Sequence, residues 1–198
     1  MTAIDLSGDV GIVALSLLTL NILLGLLISV RYSPWRYWPH RRMNIFWIHN
    51  QTGFAALAVS ILHPLILLFS ATAGFHWLDV VFPAWAPRQP IVNLFGAAAV
   101  YTLAFVLVTS HYRVEIGRRT WKKLHFTTYI LAGCVFVHSL LTDPHLNGSP
   151  LDLFDGEKVF VEACMVVVLV ATVLRLRYTL QKRRRVALPA EAVTEGTL

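Results

Sequence analysis

The chain has 198 residues, of which 56% are hydrophobic and only 14% charged, and its mean hydropathy is +0.61; a soluble domain carries about 25% charged residues. That balance excludes an ordinary soluble protein, and the apolar runs approach the ~20 residues a helix needs to cross a ~30 Å hydrocarbon layer. The net charge of +6 does not point to nucleic acid, because the cations flank the apolar runs, as membrane orientation requires, and do not interleave with aromatics on one face.

In chain order, the acidic segment Met1 to Asp9 lacks the basic start of a cleaved signal peptide, so the run from about Val10 to Val30 is expected to be a retained first span. A basic, proline-punctuated connection follows, with Arg31, Pro34, Arg36, Pro39, Arg41 and Arg42. Span two is predicted from about Ile45 to Ala73, and Gly74 to Pro90, with three prolines and several aromatics, reads as a loop or interfacial turn. Span three is about Ile91 to His111. A second basic connection (Arg113, Arg118, Arg119, Lys122, Lys123) leads into span four, about Trp121 to Leu141. An acidic, turn-rich loop from Asp143 to Asp155 precedes span five, about Glu157 to Leu174, and the tail from Arg175 is first basic, then Ala/Glu/Thr-rich.

The expected fold is therefore all-α, a polytopic transmembrane bundle of about five spans. Residues 1–185 form a single transmembrane domain and 186–198 a disordered cytoplasmic tail. Fifteen of the seventeen Lys and Arg residues fall on alternate connections, leaving only Arg88 and Lys158 for the other side. The positive-inside rule then puts the N-terminus outside and the C-terminus inside, in a cytoplasmic (inner or plasma) membrane. No connection approaches the ~100 residues of a flavin- or nucleotide-binding domain, so any such module is expected on another chain. Cys134 and Cys164 lie inside apolar runs, and there is no C-x-x-C-H for covalent haem attachment.

Four of the eight histidines carry the functional signal: His49 and His63 in span two, His125 and His138 in span four. Ionisable side chains at membrane depth are costly and point to function, although any one of them alone could be a histidine hydrogen-bonded to a neighbouring helix. Both spans start on the inner side, so His49 lies level with His125 and His63 with His138. Separations of 14 and 13 residues at ~1.5 Å rise place the two levels about 20 Å apart. That suits two stacked planar macrocycles, each held by one imidazole from each helix, the arrangement of a b-type haem. Zinc or iron hydrolytic sites want three or more clustered ligands, usually with carboxylates. On ideal helices His63 is rotated about 40° from His49, but His138 about 140° from His125. Either span four is over- or underwound, or the two macrocycles are approached from different directions.

The segment Gly117-Arg-Arg-Thr-Trp121-Lys-Lys-Leu124-His125-Phe-Thr-Thr-Tyr129, followed by His138, resembles the G-x-x-x-W-x-x-L-H-x-x-x-Y signature of the ferric reductase-like transmembrane domain superfamily. That superfamily includes ferric reductases, NADPH oxidases and the haem-binding subunit of bacterial methionine sulfoxide reductase. The resemblance covers about residues 45 to 141. It implies a haem-binding electron-transfer subunit of a membrane oxidoreductase, with two haem b groups whose irons are ligated by His49 and His125 on the inner side and by His63 and His138 on the outer side. Electrons would pass outward from a cytoplasmic donor, a separate flavoprotein or a quinol, to an external acceptor or partner reductase. Flavin would enter only through that partner. The family's oxidases and many of its reductases have six spans and continue into a flavin domain, which this sequence lacks.

Haem propionates need cationic partners. Arg31, Arg42, Arg113 and Lys122, together with Arg36, Arg41 and Arg119, lie at the inner level; Arg88, Lys158, His76 and Trp77 lie near the outer one. Topology alone also explains most of the inner set. Gly53 and Gly133 could admit a macrocycle or let helices pack, and Pro64 should kink span two beside His63. Glu162 suits a proton path or a snorkelling carboxylate, His76 and His145 an external metal ion, and His40 and His111 the interface. Two other readings fit the histidines: a quinol-linked cytochrome b anchor of a respiratory complex, and a haem-free transporter or channel with a histidine relay.

Overall fold

A computed structural model describes residues 2–30, 44–143, 146 and 152–194, with side chains as far as residue 184. Among these residues the secondary structure is helical throughout, with no strand. Five helical stretches are long and apolar enough to cross a membrane: Ala3–Ser29, Ile45–Phe69, Pro90–His111, Arg118–Leu141 and Gly156–Arg184. The protein is an integral membrane helical bundle. The basic connection from Arg31 to Arg42 lies outside the described residues, as do His145 and residues 195–198 of the tail.

Helix α1 (Ala3–Ser29) starts seven residues before the apolar run does. The Thr2 hydroxyl accepts from the Asp5 amide at 3.2 Å and the Asp5 carboxylate from the Thr2 amide at 2.7 Å, a reciprocal cap that holds the first turn. Helix α2 (Ile45–Ile66) is capped by Asn44, whose Oδ1 accepts from the amides of Phe46 and Trp47. Pro64 lies inside α2, and directly after it the chain tightens into a 3-10 turn over Leu67–Phe69. The span ends there, four residues short of the predicted Ala73, because the 3-10 turn runs out into extended backbone at Ser70.

The predicted loop from Gly74 to Pro90 holds a short helix α3 (Trp77–Val81) and a 3-10 turn at Pro83–Trp85. Gln89 adopts a left-handed conformation (φ 47°) before Pro90 opens helix α4 (Pro90–His111). The Gln89 side chain also clamps the backbone of Asp143, donating to its carbonyl at 3.0 Å and accepting from its amide at 2.8 Å. A short α5 (Arg113–Ile116) ends at Gly117, whose φ of +83° turns the chain into α6 (Arg118–His125).

The fourth span is not one regular helix. Between α6 and α7 (Thr128–Leu141), the amides of Phe126, Thr127 and Tyr129 donate to the carbonyls of Lys123, Leu124 and Phe126, each three residues back. This is 3-10 winding, at about 120° per residue against about 100° in an α-helix. The roughly four steps so wound between His125 and Tyr129 add about 80° and cut the 140° misalignment between His125 and His138 to about 60°. Of the alternatives left open by the spacing, overwinding is the one adopted.

Helix α8 (Gly156–Thr194) closes the bundle. One buried cluster joins α1, α7 and α8 through Leu15, Phe136, Val161, Cys164 and Val168; a second joins α1, α2, α4 and α7 through Leu18, Ala56, Ala99, Leu103 and Leu131. Both cysteines are free thiols. Large apolar side chains such as Val13, Ile61, Phe105, Ile130 and Leu169 are exposed on the outside, the surface a lipid phase would cover. One end of the bundle carries Arg113, Arg118 and Arg119, the other Asp79, Asp143 and Asp152; these are the basic and the acidic end below.

Candidate metal centre

The four histidines meet in two pairs. At the basic end the rings of His49 and His125 have centroids 6.4 Å apart and planes at 70°; at the acidic end those of His63 and His138 are 6.3 Å apart at 72°. Among the described residues no group of three or more His, Cys, Asp or Glu side chains assembles. A first-row metal ion binds imidazole nitrogen at about 2.0–2.1 Å, and adding a ring radius of about 1.2 Å on each side puts the centroids of two opposed ligands about 6.4 Å apart. Both pairs meet that requirement.

Each ring is aimed by the helix behind it. The backbone carbonyl of Asn21 lies 3.1 Å from His49 Nδ1, that of Ser7 lies 2.7 Å from His63 Nδ1, and that of Val92 lies 2.9 Å from His138 Nδ1. A carbonyl only accepts, so in all three Nδ1 carries the proton and the Nε2 lone pair is left for a metal. Each carbonyl stands four residues before a glycine, namely Gly25, Gly11 and Gly96. A Cβ at those glycines would stand 3.2 Å from His49 Cε1, 3.1 Å from His63 Cε1 and 2.9 Å from His138 Cε1. Glycine therefore lets each imidazole lie against the neighbouring backbone. The fourth ligand is backed differently: His125 Nδ1 is 3.5 Å from the hydroxyl of Ser110, which also accepts from Trp121 Nε1 at 3.3 Å.

Side chains of α1 fasten α2 as well. Asn21 Nδ2 donates to the His49 carbonyl and, at 2.8 Å, to Thr52 Oγ1. The Ser7 hydroxyl donates at 2.8 Å to the His63 carbonyl, next to Pro64. These partners went unread in the sequence, although a signal was there: Ser7-x3-Gly11 and Asn21-x3-Gly25 repeat with a 14-residue offset, the offset of His49 and His63. Within an apolar run such glycines look like ordinary helix-packing positions.

A cavity of about 500 Å³ surrounds the acidic-end pair, with Gly11, Ser60, His63, Gly96, His138 and Lys158 among its walls. Lys158 is only 6% exposed, and its Nζ donates to the carbonyls of Ser139 and Thr142 at the end of α7, where a cation suits the helix dipole. Arg88 is exposed, and its carbonyl accepts from Asn93. At the basic end the Arg113 guanidinium lies 5.3 Å over the Phe46 ring and donates to the Ser110 carbonyl, while Lys122 is exposed. Arg31, Arg36, Arg41, Arg42 and His40 lie outside the described residues. A Cβ on Gly53 would meet Leu107 and Asn21, so that glycine serves helix packing, whereas one on Gly133 would meet nothing within 4 Å. His76 caps α3 beside Asp79, and Glu162 is half-buried.

Residues 10–136 match the family model described as ferric reductase like transmembrane component. Over 121 residues, 59% of this chain and 16% of the relative, the sequence is 34% identical to magnetosome protein MamZ of Paramagnetospirillum magneticum. It is likewise 34% identical over 85 residues, 41% of the chain and 11% of the relative, to magnetosome protein MamZ of Magnetospirillum gryphiswaldense. The chain thus spans less than one-fifth of the length of these relatives. No solved structure matches it. With the family match covering more than half its length, the chain belongs to the ferric reductase-like transmembrane family.

Proposed function

We propose that the chain is a transmembrane b-type cytochrome that carries electrons across the bilayer between a cytoplasmic-side donor, a separate flavoprotein or a quinol, and an acceptor or partner reductase on the outer side. The observation that carries this reading is the pair of histidine couples at 6.4 and 6.3 Å, the separation that two ligands of one metal ion require. Haem, when bound, supplies an iron that takes up and gives back single electrons. The protein's part is positional. His49 and His125 hold one haem iron, His63 and His138 the other, and α1 and α4 keep the ring protons on Nδ1 for His49, His63 and His138. Gly11, Gly25 and Gly96 admit the rings, and the apolar helix walls exclude water.

Lys158, inside the cavity at the acidic end, is the propionate partner best supported there, ahead of Arg88. At the basic end Arg113 holds that position ahead of Lys122. The basic end is proposed to face the cytoplasm and to receive the donor.

The test is haem content. Detergent-purified protein should yield two haems per chain by pyridine haemochrome assay and a reduced-minus-oxidised spectrum of low-spin b type. A ratio near zero would support the haem-free relay, and a ratio of one would remove one of the two sites. Reduction of purified, haem-loaded protein by a quinol alone, with no flavoprotein added, would favour the quinol-linked anchor.

A further inference from the structure

Three of the four candidate ligands share one backing device, and the fourth departs from it. His49, His63 and His138 each direct Nδ1–H at a backbone carbonyl, 2.7–3.1 Å away, that lies four residues before a glycine. In the same register His125 would face the Val106 carbonyl across position 110, and position 110 is serine. Its Cβ stands where the other three positions, Gly11 and Gly25 of α1 and Gly96 of α4, have none. The Val106 carbonyl instead accepts from Thr109 Oγ1 at 3.1 Å, and His125 Nδ1 finds only the Ser110 hydroxyl at 3.5 Å. That oxygen is shared with Trp121 Nε1 at 3.3 Å, and the Trp121 ring lies against the His125 ring with centroids 5.1 Å apart.

We infer that Ser110 is a positioning residue that sets the reduction potential of the haem at the basic end by giving His125 a weaker hydrogen-bond acceptor than the other three ligands have. The inference rests on the haem reading above. A strong acceptor at Nδ1 gives an imidazole imidazolate character and makes it a better electron donor to iron, which favours the ferric state; a weak acceptor does the reverse. A hydroxyl at 3.5 Å shared with an indole is weaker than an unshielded carbonyl below 3.2 Å.

The test is a spectroelectrochemical titration of purified full-length protein, comparing wild type with Ser110→Ala and Ser110→Gly. The basic-end component is identified as the one lost in His125→Ala. Alanine keeps the Cβ and removes the acceptor, so that component should move to higher potential. Glycine removes the Cβ, opens the Val106 carbonyl to His125 and reproduces the other three sites, so it should move to lower potential, and by the larger amount because the bond being replaced is long. The acid-end component should stay in place in both, and Ser110→Thr should restore the wild-type value. Shifts of the same sign in alanine and glycine variants, or no shift in either, would overturn the assignment, since a purely structural role predicts no opposed signs. Should the alanine variant lose its haem, the glycine variant decides alone, and a potential at or above wild type overturns the inference. Loss of the basic-end haem from both variants overturns it as well. A wild-type protein lacking two haems would instead defeat the preceding reading.

Discussion

Gly96 is the tightest of the three glycines that back a histidine, for a methyl group there would stand 2.9 Å from His138 Cε1 and 3.0 Å from Nδ1. The ring would have to shift away from α4, toward the cavity, and so draw Nδ1 off the Val92 carbonyl. Gly96→Ala should therefore displace the imidazole and lower the haem content of purified protein from two per chain to one. Gly156→Ala, at a helical glycine where a Cβ meets nothing within 4 Å, should keep both. Equal haem content in the two variants would show that the glycine backing is dispensable. The addition of a single methylene group thus separates a glycine in open space from one that aims a ligand.

Among the elements, the fourth span shows most clearly what could and could not be read from the sequence. The heights of the four histidines follow from helical rise alone, so their pairing was legible from spacing. Their angles were not, because the overwound stretch around Phe126 and Thr127 contains neither proline nor glycine, the residues that mark irregular backbone. The ends of the spans were less legible: the Thr2 and Asp5 cap extends α1 by about two turns toward the N-terminus, and the second span stops about one turn early, after Pro64. The backing carbonyls of Asn21, Ser7 and Val92 belong to tertiary structure, and only the repeated polar-x3-Gly pattern of α1 hinted at two of them. The overwinding yields a prediction at its own scale. Inserting one alanine between Thr127 and Thr128 should rotate α7 by about 100° relative to α6, so that His125 and His138 no longer both face α2. Haem content should fall from two to one while the protein still inserts and purifies. Retention of both haems would mean that the register across this joint is adjustable.

At the scale of the whole molecule, charge divides the bundle into two ends, and the proposed direction of electron flow depends on which end faces the cytoplasm. By sequence, fifteen of seventeen basic residues belong to the connections and tail of one end, and that end is proposed, by the positive-inside rule, to face inward. A reporter active only in the cytoplasm, fused after Leu198, should be active, and a reporter active only outside the membrane should be silent there. The opposite pattern would exchange the inner and outer haems and reverse the proposed path. The five-span bundle follows from composition and run length, and that much the helices bear out.

Helix α1 contributes no candidate ligand, yet both histidines of α2 take their aim from its backbone. A span is usually regarded as exchangeable for any other of equal hydropathy, since insertion into lipid depends only on apolarity and length. Here the two properties part. A leucine-rich helix in place of α1 would enter the membrane equally well, but it would present side chains where Gly11 and Gly25 present bare backbone, and those side chains would hold the rings of His63 and His49 away from the carbonyls behind them. The first span is in that sense a jig for the second, and the tolerance of its positions to change should follow the 14-residue offset of its glycines, not their depth in the bilayer.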